Sequence, residues 1–596
     1  MTKRLRLFLL VAPAILALCA LFAPAEAHSP TVGVLLNDPA SSPGYTLFSQ
    51  FFYPTTYLID NEGRLVHSWN SGGGISSYLL EDGSLLRTNL LLHPPFEHDG
   101  VTFGAGGGQG RVSKFDWGGT QTWQFDYSTS DYVQHHDIAP LPNGNVLMFA
   151  WEYRSGAEAV TAGRDPALLR DGQLWPERII EVEPTGPTTG NIVWEWYVWD
   201  HLVQDYDPGA DNYGVVADHP ELIDLNYFEH TRPATGEADW LHANGIDYNA
   251  DLDQIVLSAR HFSEFWVIDH STTTAEAAGH SGGNSGKGGD LLYRWGNPQA
   301  YGAGDASDQQ LFLQHDASWI PAGLPGAGNI TVFNNGNGRT GGNYSSVEEI
   351  VPPVDASGMY SLTPGQAYEP AAPVWEYVAP NPSDFYASFI SGAVRLPNGN
   401  TLICSGPTGK LFEVAPDGTI VWIYINPIDA AGPVTQGVAP GNNGVFQAHP
   451  YAPDYPGLVG KDLTPGAPLE ITDSDGDGLT NDEELKTFGT DPFLADTDAD
   501  GCTDAREIGP NERLGGRRDP LNPWDYFNPS GDGRIGVDDI MAVVHRYAKG
   551  LGDSAYDTKY DRTFVGPKMW DLGPPDGLIS VTDILAIFRQ FGHECA

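Results

Sequence analysis

A short strand carrying an aromatic pair recurs six times along this chain, and that repeat limits the possible folds more than any other feature. The copies are Val66-His67-Ser68-Trp69, Trp123-Gln124-Phe125, Trp194-Glu195-Trp196, Tyr293-Arg294-Trp295, Trp375-Glu376-Tyr377 and Trp422-Ile423-Tyr424. Before each lies an alternating strand, usually ending in an acid: residues 57–60, 112–116, 179–183, 265–269, 347–350 and 411–414. Turn residues such as Asn61-Glu62-Gly63, Asp116-Trp117-Gly118-Gly119 and Pro416-Asp417-Gly418 join several of these pairs. Upstream sits a second hairpin, with tips at Glu81-Asp82-Gly83, Pro142-Asn143-Gly144 and Pro397-Asn398-Gly399. Asn249-Ala250-Asp251 and Gly323-Leu324-Pro325-Gly326 hold the same place in two more units. Each unit is thus four strands, A to D, and the period-2 alternation predicts an all-β fold.

Six four-stranded units predict a six-bladed β-propeller; a pair of β-sandwiches is the alternative. The phase of the repeat adds a detail. The chain opens on strands C and D (residues 56–70) with A and B missing. Residues 444–451, after the last complete unit, are expected to supply the missing inner strand and to close the ring by pairing the two ends of the repeat. The 71 Gly and 46 Pro fit the number of tight turns this requires.

Net charge is −46, which excludes a nucleic-acid binder that tracks phosphates and disfavours docking on anionic lipid. Residues 1–27 read as a secretory signal: Lys3, Arg4 and Arg6 form the basic start, 7–24 the apolar stretch, and Ala25-Glu26-Ala27 the cleavage site before His28. A lipidated Cys19 is the alternative, with Leu18 standing where a small residue is wanted. No later segment is long and apolar enough to span a bilayer. A secreted, periplasmic or cell-surface location follows. The expected organisation is a propeller over 28–465, calcium repeats over 466–515 and a small module over 516–596.

In a propeller the innermost strand lines the central channel. Four of the six expected strand starts carry histidine: His136, His242, His315 and His449; the other two begin near Ser76 and Ser391. Asn244 shares the face of His242, and Arg260 ends strand B of the same unit beside His261. His135 and His261 read as structural neighbours. Two chemistries fit this set. A metal site is one, but no carboxylate is evident as a further ligand and Arg260 opposes a cation. An anion site is the other: a guanidinium fork and imidazole donors match a tetrahedral oxyanion, and a neutral imidazole is a nucleophile.

Three segments, Trp240-Leu241-His242-Ala243-Asn244-Gly245, Val256-Leu257-Ser258-Ala259-Arg260-His261 and Gln314-His315-Asp316-Ala317-Ser318-Trp319, resemble the arylsulfotransferase family over roughly residues 40–465. The resemblance implies transfer of a sulfuryl group from an aryl sulfate to a phenolic acceptor, through a sulfohistidine and without a nucleotide sulfate donor. It implies His315 as nucleophile, His242, Asn244 and Arg260 as the sulfuryl-binding group, and His136 as a further channel histidine. His449 and Ser391 come only from the repeat, as substrate-side residues. Hydrolysis at the same site and a non-catalytic propeller that binds glycan or protein are the alternatives.

The C-terminal region carries different chemistry. Asp473, Asp475, Asp477, Asn481 and Glu484, and again Asp496, Asp498, Asp500, Asp504 and Glu507, match the D-x-D-x-D-G calcium loop with its acid at the twelfth place. Gly489-Thr490-Asp491-Pro492 between them resembles thrombospondin type 3 repeats. Asn528, Ser530, Asp532 and Asp539 resemble the first half of a dockerin, with a degenerate second copy over 571–583. Structural Ca²⁺ is therefore expected. A cohesin-type or other surface partner is one reading of this region, and a calcium-stiffened stalk the other. Of the cysteines outside the signal, Cys404 lies in an apolar strand and reads as a buried thiol, so Cys502 and Cys595 are expected to pair.

Overall fold

The computed structural model describes residues 30–91, 96–98, 100–169, 171–228 and 238–595. The expected signal, with Cys19, lies outside them. By its contacts the chain divides into two compact units, one ending at Leu469 and the other spanning Glu470–Ala596.

The first unit is a six-bladed β-propeller. Blades 2 to 5 each take four antiparallel strands in chain order, with the strand pair Phe96–His98 and Val101–Phe103 inserted in blade 2 and the pair Arg154–Ser155 and Gln173–Leu174 inserted in blade 3. Their innermost strands are Ser77–Leu79, Tyr132–Pro140, Ala243–Asn249 and His315–Trp319. Blade 6 starts at Gly392–Arg395 and gains a fifth strand, because Gly33–Asn37 pairs with the outside of Ile420–Ile425. Blade 1 is composite: Val445–Tyr451 is its inner strand and pairs antiparallel with Tyr45–Gln50, followed by Thr55–Asp60 and Leu65–Asn70.

Ring closure by 445–451 is as the repeat predicted, with one correction. Blade 1 does not lack strand B, because Tyr45–Gln50 supplies it. Residues 33–50 therefore serve two adjacent blades. Their strands carry no aromatic-pair signature, which is why the repeat did not reveal them.

The six aromatic pairs have a specific task. In each blade one outer-strand indole N–H donates to the turn between strands C and D of the next blade. Trp69 bonds the Asp116 carbonyl at 3.1 Å, Trp123 the Thr189 carbonyl at 3.1 Å, and Trp194 the Thr272 hydroxyl at 3.1 Å. Trp295 bonds the Pro370 carbonyl at 2.7 Å, Trp375 the Pro416 carbonyl at 3.0 Å, and Trp422 the Asn61 carbonyl at 2.8 Å, which returns to blade 1. Five of these rings are buried and Trp375 is half-buried. The acid that ends strand C often shapes the receiving turn: Asp60 Oδ1 accepts from the Glu62 and Arg64 amides, and Asp116 Oδ1 from that of Thr120.

In the second unit the helices Val537–Val544 and Val581–Arg589 share a small core with Phe527, Ile535, Leu572 and Ile579. Cys502 and Cys595 are bonded, with Cα atoms 5.0 Å apart, and Cys404 is a buried free thiol, both as expected. Among the described residues no helix is long and apolar enough to cross a membrane.

Trp422→Phe keeps most of the apolar area but orphans a carbonyl, so it should destabilise the propeller by about 1–2 kcal/mol in urea denaturation. Trp422→Ala should cost roughly 3–5 kcal/mol. A phenylalanine variant as stable as the parent would show that the indole bond does not tie blade 6 to blade 1.

Candidate active site

Besides blade 1, three inner strands begin on a bulge. In blades 3, 4 and 5 the register against strand B slips between Gln134 and Ile138, between Ala243 and Gly245, and between His315 and Ser318. At or just before each slip a non-glycine residue takes left-handed backbone: His136 at φ 51°, His242 at φ 51° and Asp316 at φ 54°. Such residues are strained by about 1–3 kcal/mol and cluster where function re-aims a side chain.

The bulges gather the histidines. The His136 and His242 rings lie 4.7 Å apart, and His242 stacks on His261 at 4.8 Å. Asp239 Oδ2 accepts from His242 Nδ1 at 2.5 Å while its Oδ1 accepts from Trp151 Nε1 at 3.0 Å. His261 Nδ1 faces the Asp239 carbonyl at 3.2 Å, so it carries the proton, and Nε2 accepts from Arg260 Nη1 at 3.0 Å. His261 is therefore a neutral ring that positions a guanidinium. Asp239, His242, Arg260 and His261 line a cavity of about 500 Å³ together with Asp171, Trp175 and the Gly104–Gly106 loop. Gly107 continues that loop at φ 92°; a Cβ there would stand 2.0 Å from the His136 ring, so the close approach requires glycine.

His315 is buried and oriented at both nitrogens. Asn335 Nδ2 donates to the Ala387 and Ile390 carbonyls, which turns Oδ1 toward His315 Nδ1 at 2.7 Å. Nδ1 thus holds the proton and Nε2 the lone pair, which accepts from the Ile390 amide at 3.1 Å. Burial, then the Arg260 charge, holds the His315 imidazole well below its ordinary value. Burial and then His242 do the same to His136. One residue further along the inner strands, Gln447 Nε2 bridges Asp137 Oδ2 at 3.1 Å and Asp316 Oδ1 at 3.0 Å. Burial, then Asp137, lifts the Asp316 carboxyl to about 8.

The acidic loops of the second unit form compact oxygen clusters. Asp473, Asp475 and Asp477 each point an oxygen within 4.8 Å of the others, as do Asp496, Asp498 and Asp500, and so do Asp500, Glu507 and Asp525. Buried oxygens on Asp475, Glu484, Asp498, Glu507 and Asp525 have no hydrogen-bond partner. Burial first, with neighbouring carboxylates adding to it, lifts Glu484, Asp498 and Asp500 to about 7 and Glu507 to about 11. Packed unpaired carboxylates of this kind fit Ca²⁺.

Residues 38–429, well over half of the chain, match the family described as Arylsulfotransferase (ASST), and 473–495 match the bacterial TSP3 repeat. The chain belongs to the arylsulfotransferase family. It is 25% identical over 303 residues to an arylsulfate sulfotransferase AssT of Escherichia coli O6:H1, covering 47% of this chain and 46% of that one. A second AssT, from Lelliottia amnigena, is 25% identical over 300 residues with the same coverage, so the chain spans about half the length of these curated relatives. Among solved structures, a Bacteroides caccae protein of unknown function superposes with a TM-score of 0.36 at 12% identity, over 69% of this chain and 99% of that one.

In this arylsulfotransferase propeller the sequence-derived residues fall into two groups. His136, His242, Arg260 and His315 come together, since His136 and His315 both feel the charges of His242 and Arg260. Asn244 is adjacent, but its Nδ2 donates to the Gln314 carbonyl at 2.7 Å, so it braces the chain before His315. His449 stands apart. The bulge of blade 1 falls between Val445 and Ala448, which puts Phe446 beside His136 at 6.0 Å and leaves His449 against Tyr78 at 4.4 Å. The four-histidine ring expected from the repeat is therefore a group of three. Ser391 Oγ accepts from the Gly406 amide at 2.9 Å, a backbone tie within blade 6.

His261, read as a structural neighbour, is the residue that holds Arg260, and His135 bonds His136 through Nδ1 at 2.8 Å. Sequence reasoning missed Asp239 and Asn335. Asp239 had a signal, a carboxylate three residues before His242; Asn335, at the end of an apolar strand, had a weak one. A metal reading of Asp239, His242 and His261 is opposed by the Arg260 guanidinium, which takes the lone pair of His261 Nε2 and sets a fixed positive charge in the site.

In the acidic loops Asn481 and Asp504, at the ninth places, accept from the backbone of Ser474 and Thr497 and brace the loops from within. Asp525 joins the second loop from outside the motif. Asp539 accepts from the Ser530 and Gly536 amides at 2.8 Å each. Asp583 repeats that pattern with Arg562 at 2.6 Å and Ser580 at 2.7 Å. The second copy therefore opens at Asp561 rather than Asp571, and the strand pair Thr563–Phe564 and Leu572–Gly573 is inserted within it. Asp571 instead accepts from the Lys568 amide.

Proposed function

We propose that this protein moves a sulfuryl group from an aryl sulfate to a phenolic acceptor through a sulfohistidine at His315. The observation that carries the reading is the single orientation of His315: Asn335 keeps the proton on Nδ1, which leaves the lone pair on Nε2, where it meets the Ile390 amide, and the ring lies in the field of Arg260 and His242. In the first half-reaction Nε2 attacks sulfur as the Ile390 amide contact gives way, and the bond from sulfur to the aryl oxygen breaks. Arg260, held by His261, balances the charge spreading over the sulfuryl oxygens. A proton on Nε2 of His242, whose ring Asp239 braces at Nδ1, passes to the departing phenolate. In the second half the acceptor hydroxyl returns its proton to His242 and attacks sulfur, and the neutral His315 is restored. With water as acceptor the same steps give hydrolysis, and p-nitrophenyl sulfate turnover with and without phenol separates the two.

The basic start, apolar run and A-x-A site over 1–27, together with a disulfide, support export. We propose that the second unit binds structural Ca²⁺ at Asp473, Asp475, Asp477 and Glu484, and at Asp496, Asp498, Asp500, Glu507 and Asp525. The dockerin-like part, with Asn528, Ser530, Asp532 and Asp539, is read as a further calcium loop and as the face toward a cohesin-type partner.

His315→Ala should abolish both transfer and the acid-labile sulfo-adduct, and a folded variant with unchanged initial rate would remove the assignment. Arg260→Ala should lower turnover roughly 10²–10³-fold, the range for a lost donor to a developing oxyanion.

The pH dependence has a definite sign. A lowered pKa leaves His315 neutral, and so nucleophilic, well below the ordinary 6.5. The burst of p-nitrophenol should therefore persist as pH falls through 6.5 and be lost only at lower pH; an acid limb at or above 6.5 would contradict it.

Ca²⁺ should hold the second unit together. With EDTA, protease cuts should gather within residues 470–596, and added Ca²⁺ should restore resistance. Equal resistance with and without Ca²⁺ would count against the calcium sites.

A further inference from the structure

At the outer side of blades 3 and 4, away from the channel, two imidazoles converge on one carboxylate. His201 follows the helical turn Val198–Asp200 that ends the outer strand of blade 3. His280 and Asp290 belong to the glycine-rich connection of blade 4, between the turn Thr274–Ala277 and the outer strand Tyr293–Trp295. Asp290 Oδ1 lies 2.9 Å from His201 Nδ1 and 2.7 Å from His280 Nδ1. The His201 side chain is 0% exposed and that of Asp290 9%, whereas His280 is open to solvent at 62%.

The far side of His201 decides where its proton is. Its Nε2 lies 2.8 Å from the Ala277 carbonyl oxygen, which can only accept. Nε2 therefore carries a hydrogen, and a neutral His201 turns the bare lone pair of Nδ1 toward a carboxylate oxygen. Two lone pairs at 2.9 Å repel unless a proton or a metal ion stands between them. A ring whose outer N–H is tied to a backbone carbonyl while its inner nitrogen meets a carboxylate is the arrangement of a metal-ligating histidine.

We propose that His201, His280 and Asp290 bind a divalent transition-metal ion, zinc by ligand chemistry, that clips the glycine-rich segment of blade 4 to blade 3. Two imidazoles and one carboxylate leave a fourth tetrahedral position for water, a donor set that suits zinc and not calcium or magnesium. Ligands on a tetrahedral zinc lie roughly 3.3 Å apart for bonds of about 2.0 Å, so small side-chain rotations open the site. The local charge favours a cation. Asp200 lies within electrostatic reach of both histidines, and Arg154 nearby is paired with Glu152 at 3.0 Å.

The segment has reason to need such a clip. Between Ala277 and Leu291, which are both buried, it holds mostly Gly and Ser and carries no large apolar side chain. Gly289 permits the approach, since a Cβ there would stand 2.6 Å from His201 Nε2, and its carbonyl accepts from Trp196 Nε1 at 2.7 Å.

Cobalt tests the site on the full-length protein. After chelation and exchange into excess Ca²⁺, the protein is titrated with Co²⁺. Tetrahedral Co²⁺ with imidazole ligands absorbs strongly in the visible, whereas octahedral oxygen loops absorb weakly. The expected result is one equivalent of strong bands that Zn²⁺ displaces. They should be lost in His280→Ala and Asp290→Asn and kept in His242→Ala. His280→Ala alters an exposed side chain, so it should fold and keep wild-type sulfuryl transfer, but lose any rise in melting temperature on adding Zn²⁺. No strong band in the parent protein, or a band that survives His280→Ala, would overturn the proposal, as would a band lost only in His242→Ala.

Discussion

A ring of six indole N–H bonds joins each blade to the next, and the rest of the propeller depends on it. A four-stranded blade cannot bury both of its faces alone, so its stability comes from its neighbours. Each outer-strand tryptophan fills the space between blades and donates to a turn it does not belong to, with Trp422 returning to Asn61 of blade 1. The composite blade completes the circle at the channel, where Val445–Tyr451 pairs with Tyr45–Gln50. With closure secured at the rim and at the axis, the inner-strand starts of blades 3 to 5 can carry strained backbone.

That strain bears on the chemistry. A bulge in each of those strands, with left-handed His136, His242 and Asp316, turns side chains out of the simple alternation of a strand. The groups around them fix protons rather than merely fill space. Asp239 orients His242, Asn335 orients His315, and His261 gives its lone pair to Arg260. The result is a buried His315 imidazole with an oriented proton, in the field of the Arg260 guanidinium that His261 holds.

The second unit solves a different problem. Its core is small, and a large part of its interior is carboxylate. Oxygens of Glu484, Asp498 and Glu507 are buried without partners, a costly state for carboxylates. The Cys502–Cys595 bond ties the second acidic loop to the far end of the same unit, so loop and helices act as one body.

The sequence by itself determined the propeller, its blade number, the closing strand, the disulfide, and the types and rough places of His136, His242, Arg260 and His315. Each is a local or periodic signal, and periodicity survives without coordinates. Strand Tyr45–Gln50, the place of His449, the roles of Asp239, Asn335 and His261, and the true start of the second dockerin-like loop at Asp561 were decided only by the tertiary structure. The physical reason is common to them. A bulge or an insertion shifts register by a residue or more, so residues at matching places in the repeat need not point the same way. A hydrogen-bond partner from another strand leaves no mark in the local pattern. Spacing along the chain tells which residue types a blade offers; only the packed blades decide which of them meet.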